Sequence, residues 1–232
     1  MRNEDEDARA VPHRVQHVIW DWNGTLLDDV QACVDAINRM LDRRGLPRTD
    51  LARYRDIFGF PVQGYYVQLG FDLASEDWAR MAREFHDDYE ETARPSALRA
   101  GAQAALDGLR AAGVPMSILS ACELGILRRM VGERGVDGFF DHIFGLGDLY
   151  AESKVELGRR MLRTAGVDPA AVLLVGDTLH DYEVAQALGC RAVLLAGGHQ
   201  SVERLRRCGC PVLNGMEALT VYSGNGVPNE VA

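Results

Sequence analysis

Lysine is almost missing from this chain of 232 residues. Lys154 stands alone beside 24 arginines, so 25 basic residues face 34 acidic ones and the formal net charge is −9. An acidic balance argues against a nucleic-acid binder, which carries a basic field. Long apolar runs are missing too. No stretch reaches the roughly 18 residues of a membrane-spanning helix, and the opening MRNEDEDARA lacks the apolar segment of a secretory leader. Cysteine is sparse and odd in number: Cys33, Cys122, Cys190, Cys208 and Cys210. Cys208 and Cys210 form a C-x-C pair without a second ligand pair nearby, so free thiols in a reducing cytoplasm are expected. What remains is ordinary globular composition, with 47% hydrophobic and 25% charged residues. Disordered, collagen-like and disulfide-stapled chains are thereby excluded.

The hydrophobic pattern divides the chain. Val15–Trp20 is a short β-rich run that ends at Asp21, and Asp21–Asp29 (DWNGTLLDD) is turn-rich and acidic. Val30, Val34, Ile37 and Leu41 share one helical face, which Gly45–Pro47 stops. Residues 48–98 are mostly helical in pattern, carry aromatics from Tyr54 to Tyr89, and are broken at Gly59 and Pro61. From Gly101 onward, helices near 102–112, 123–134, 153–165, 181–188 and 201–207 alternate with apolar strands near 115–119, 142–144, 172–175, 192–195 and 211–213. Such alternation predicts a parallel sheet covered on both faces. The expected architecture is α/β, a Rossmann-like doubly wound parallel sheet with an inserted helical cap. The core would span 14–28 and 99–222 and the cap 29–98, with linkers near 27–31 and 95–101. Loose tails are expected at 1–13 and 223–232.

Four positions fall just past strand ends or open the helix before one: Asp21, Ser120, Lys154, and Asp177 with Asp181. In an open parallel sheet, ligands bind at the carboxyl edge near the switch in strand order. Gathered there, Asp21, Asp177 and Asp181 would form an oxygen-rich site for a hard cation such as Mg²⁺. A phosphate beside it would meet Lys154, the Ser120 hydroxyl and backbone N–H groups of the turn at 22–25. Taken singly, each residue has a plainer reading: a helix cap, a loop serine, a solvated lysine, a turn.

These residues resemble the haloacid dehalogenase superfamily, and its phosphatases in particular. DWNGT (Asp21–Thr25) resembles the family's Asp-x-Asp-x-Thr motif, SILS ends at Ser120 as its second motif does, Lys154 matches the third, and GDTLHD (Gly176–Asp181) is the fourth, complete. The resemblance implies that Asp21 is nucleophile and Mg²⁺ ligand, that Asn23 contributes its backbone carbonyl, that Asp177 is a ligand, and that Asp181 orients Lys154 or a metal-bound water. It further implies phosphoryl contacts from Trp22, Gly24, Thr25, Ser120, Ala121 and Lys154, and cap contacts from Phe60, Tyr65 and Tyr66, which the plainer reading assigns to cap packing. The substrate would be a small-molecule phosphate ester (a sugar phosphate, a nucleoside monophosphate or a C-ribosyl aromatic phosphate), with no nucleic-acid or membrane partner, taken by a monomer or dimer.

One position departs from the pattern. Asn23 stands where typical family phosphatases carry the aspartate that protonates the leaving group, and an amide does not titrate. His180, inside GDTLHD, is the candidate replacement. Asp28 and Asp29 are further candidates, with capping of the first cap helix as their plainer reading. A metal-free 2-haloacid dehalogenase and a catalytically weak phosphate-binding protein are the alternatives. A Schiff-base mechanism would need a second lysine.

Overall fold

A computed structural model describes residues 15–147 and 153–219. The expected tails at 1–13 and 223–232 lie outside the described residues. The first strand, β1 (His17–Trp20), is followed by four helices: α1 (Val30–Arg43), α2 (Leu51–Ile57), α3 (Val62–Leu69) and α4 (Trp78–Ala93). Strictly alternating elements then follow: α5 (Ala102–Ala111), β2 (Met116–Glu123), α6 (Leu124–Glu133), β3 (His142–Leu146), α7 (Lys154–Ala165), β4 (Val172–Gly176), α8 (Leu179–Leu188), β5 (Arg191–Leu195), α9 (Val202–Leu205) and β6 (Val212–Leu213). The strands form one parallel sheet in the order β3-β2-β1-β4-β5-β6.

Period-two alternation sorts the sheet's side chains between two apolar layers. Val18 and Trp20 of β1 and Leu173 and Val175 of β4 join one buried cluster. Ile19, Val172 and Leu174 join the other, with Leu157 and Met161 of α7 and Val184 and Leu188 of α8. A strand covered on both faces has no polar side, which is why β1 and β4 read as continuous apolar runs.

The helices between β1 and α5 share one continuous apolar cluster with that first face of the sheet. Ala36, Ile37, Met40 and Leu41 of α1 are buried at helical spacing, and α1 packs along α4. Arg44, at the end of α1, donates to both carboxylate oxygens of Glu76 (2.5 and 2.9 Å) and of Glu84 (3.0 and 2.8 Å). The two crossings between this insertion and the sheet lie side by side, since Leu27 bridges Leu98. Among the described residues, no helix is long and apolar enough to cross a membrane.

Because β1 lies between β2 and β4, its carboxyl end is the switch point of the strand order. Trp20 pairs in register with Ile118 on one side and Val175 on the other. The residues that follow these three strands therefore emerge at one edge.

Candidate active site

Asp21 leaves β1 with its backbone N–H donated to the Val175 carbonyl at 2.9 Å, which fixes its carboxylate beside the end of β4. The Lys154 ammonium, at the first turn of α7, donates to Asp21 Oδ1 and to Asp181 Oδ1, each at 2.6 Å. Thr25 Oγ1 donates to Asp177 Oδ1 at 2.7 Å and to Asp21 Oδ2 at 3.2 Å. All five side chains are buried. Asp181 also closes the start of α8. Its Oδ2 accepts from the Thr178 hydroxyl at 2.7 Å and the Thr178 N–H at 3.0 Å, while Thr178 caps the helix in return. The glycine of GDTLHD follows from this, because a Cβ on Gly176 would lie 2.3 Å from the Asp181 side chain.

With all three carboxylates ionised, the single ammonium leaves this cluster two charges short of neutral. Burial pushes the Asp21 carboxyl up to about 7, with Asp181 and Asp177 adding to the rise and Lys154 opposing it. Burial also raises Asp177. Asp181 stays below the usual carboxylate range because Lys154 and Thr178 outweigh its burial. One oxygen each from Asp21, Asp177 and Asp181 lie within 4.8 Å of one another. An all-oxygen donor set with two uncompensated charges fits a hard divalent cation.

The turn after Asp21 does different work from that expected. Trp22 is fully buried in the apolar core, so its side chain is no part of the site wall. Gly24 adopts φ +70°, and a Cβ there would lie 2.4 Å from His199 and 2.5 Å from Asp177. Its N–H is not left for a phosphate but donates to Asp29 Oδ1 at 2.8 Å. The Thr25 hydroxyl is spent on the two carboxylates. Asp29 occupies the N-cap position of α1, yet its side chain makes no capping bond. It turns inward to accept from Asn23 Nδ2 at 2.7 Å and from the Tyr89 hydroxyl at 2.5 Å, with His199 Nε2 3.5 Å away. Asn23 also donates to the Tyr89 oxygen at 2.7 Å, so α4 is tied to the loop that carries Asp21.

His199, to which the sequence assigned no role, completes this group. It follows β5, donates its backbone N–H to Asp177 Oδ2 at 2.6 Å, and holds Nδ1 2.8 Å from the Tyr54 hydroxyl. Burial alone would lower its pKa, but Asp29, Asp177 and Asp21 raise it to about 9. Burial would likewise raise Asp29, but His199, Tyr89 and Asn23 hold it below the ordinary range. The two are therefore a buried ion pair. In the sequence His199 stood out only as part of GGHQS (Gly197–Ser201), which resembles a stretch in phosphatase-like members of the family.

Above these groups lies a cavity of about 430 Å³. Asp21, Asn23, Ser120, Ala121, Lys154, Asp177, His180 and Asp181 line its floor and sides, and Phe60, Tyr65 and Tyr66 its helical wall. The Ser120 hydroxyl donates to Asn23 Oδ1 at 3.4 Å. The His180 ring lies 4.7 Å from that of Phe60, and its pKa is lowered by burial and by Lys154.

A family model described as haloacid dehalogenase-like hydrolase matches residues 18–195. The chain is 25% identical over 195 residues to the probable phosphatase IndB of Dickeya dadantii, covering 82% of this chain and 84% of that one. It is 30% identical over 193 residues to a phosphoglycolate phosphatase of Cereibacter sphaeroides, covering 79% and 86%. A haloacid dehalogenase-like hydrolase structure from Streptococcus pneumoniae superposes with a TM-score of 0.80 at 18% identity, covering 90% of this chain and 98% of that one.

Proposed function

The chain belongs to the haloacid dehalogenase-like hydrolase family, and on that premise we propose that it is a Mg²⁺-dependent phosphatase of small phosphate monoesters. The observation that carries this reading is the Asp21 carboxylate paired with Lys154 on the floor of a sheltered cavity, beside Asp177. Asp21, Asp177 and the backbone carbonyl of Asn23 would hold Mg²⁺, which when bound neutralises the excess charge that would otherwise repel a phosphate. Asp181 is the residue that holds Lys154 in place.

The Asp21 carboxylate attacks phosphorus, the P–O bond to the alcohol breaks, and that oxygen leaves with the electron pair and takes up a proton. Water then attacks the aspartyl-phosphate, releasing inorganic phosphate and restoring the carboxylate. Lys154 and Ser120 steady the phosphoryl oxygens as charge develops on them. Asn23 has no proton to give, and His180 is assigned the proton transfer because it lines the same cavity. The helical insertion keeps bulk water from the intermediate. A metal-free dehalogenase would leave the two-charge excess uncompensated, which favours the phosphatase.

Phosphate release from a panel of monoesters tests the reading. Activity is expected with Mg²⁺, is expected to vanish with chelator, and is expected to be absent in Asp21→Asn. His180→Ala is expected to lose roughly 10²-fold in rate with an altered pH profile. An unchanged profile would remove His180 from the mechanism.

A further inference from the structure

The helical wall of the cavity is built from Tyr54, Phe58, Tyr65, Tyr66, Trp78 and Phe85. No Asp, Glu, Lys or Arg from residues 30–93 reaches it. Its polar members besides the phenols are the Cys33 thiol, the Trp78 indole, Gln63 and His86, and burial pushes the His86 pKa below its ordinary value, so it offers no cation at neutral pH. The cationic groups lie on the floor: Lys154 sits on Asp21 and Asp181, and His199 pairs with Asp29. A phosphate seated on that floor would direct its alcohol half at the rings. A second anion there would lose its water without gaining a counter-charge. An aromatic ring would instead join contacts the wall already makes, such as Phe58 against Tyr65, edge to face at 5.4 Å between centroids.

Tyr65 is only 4% exposed and its hydroxyl oxygen is buried, so the surface it presents to the cavity is that of its ring.

We propose that the alcohol half of the substrate is an uncharged aromatic group, and that esters carrying a second anion are rejected. The proposal rests on the phosphatase reading, and it separates this chain from relatives named for phosphoglycolate. A volume of about 430 Å³ holds a ring system with its phosphate.

The test compares benzyl phosphate, ethyl phosphate and phosphoglycolate with the Mg²⁺-loaded full chain. The expected kcat/KM for benzyl phosphate exceeds that for phosphoglycolate by about 100-fold, and it also exceeds that for ethyl phosphate. Phosphoglycolate or ethyl phosphate turned over as well as benzyl phosphate would overturn the proposal. If no ester is hydrolysed, the phosphatase reading fails instead. Calorimetric binding to Asp21→Asn then decides the ring question alone: benzyl phosphate binding at least about tenfold tighter than phosphoglycolate supports it, and equal affinity overturns it.

Discussion

Asn23 looks like a loss when compared with the family's motif, but its neighbours give it a use. Its amide donates to Asp29 and Tyr89 at 2.7 Å each, and a carboxylate at position 23 could do neither. Asn23→Asp would bring the chain closer to the family pattern and set two carboxylates against each other in a buried site. The expected outcome is a loss of about 1–3 kcal/mol in unfolding free energy together with lower activity, and Asn23→Asp/Asp29→Asn recovers part of both. Chemical denaturation and phosphate release measure this, and a single variant as stable as the parent and faster would refute it. Position 29 also shows where sequence reasoning stopped. An aspartate just before a helix is ordinarily a cap, and nothing local reveals that its carboxylate faces inward to a histidine 170 positions later.

At the scale of elements, β1 carries a group whose titration bears on stability. His17 is buried, with Nε2 2.9 Å from the Ser117 hydroxyl of β2. Burial lowers its pKa, His142 adds to that, and Asp141 opposes it. The unfolded chain binds a proton below about pH 6.5, while the folded chain resists one until lower pH. Stability contributed here is therefore unaffected above that value and falls as pH drops through it. The stability difference between the parent and His17→Asn is expected to shift in favour of the variant between pH 7 and pH 5, measured by urea denaturation at each pH. Strands and helices themselves were largely legible, because two-sided burial makes apolar runs and one-sided burial makes helical spacing. The 80-residue gap after the first strand likewise marked the insertion. The far end of β2 was not legible: it continues to Glu123 through Ala121 and Cys122, where β2 and β3 shift register and polarity gives no alternation. The ends of the motifs were legible as chemistry, whereas the Thr25 bond to Asp177 and the crowding of Gly24 by His199 and Asp177 depend on residues brought in from far along the chain.

At the scale of the whole molecule, the site costs stability and a cation should return it. Asp21, Asp177 and Asp181 come from the ends of two strands and the first turn of α8, so whatever neutralises them also clamps β1 to β4. A divalent cation at a hundredfold excess over its Kd should stabilise the fold by about 2.7 kcal/mol. Thermal unfolding with and without Mg²⁺ is expected to show an upward shift in the parent and a much smaller one in Asp177→Asn. Equal shifts in both would place the cation elsewhere.

The position of β1 between β2 and β4 has a consequence for synthesis. β1 is translated before the other five strands of its sheet, yet one of its two flanks stays open until β4 has been translated. A nascent chain halted before Val172 thus exposes a bare apolar ribbon edge, and chaperone occupancy of such stalled intermediates should drop once that later segment emerges.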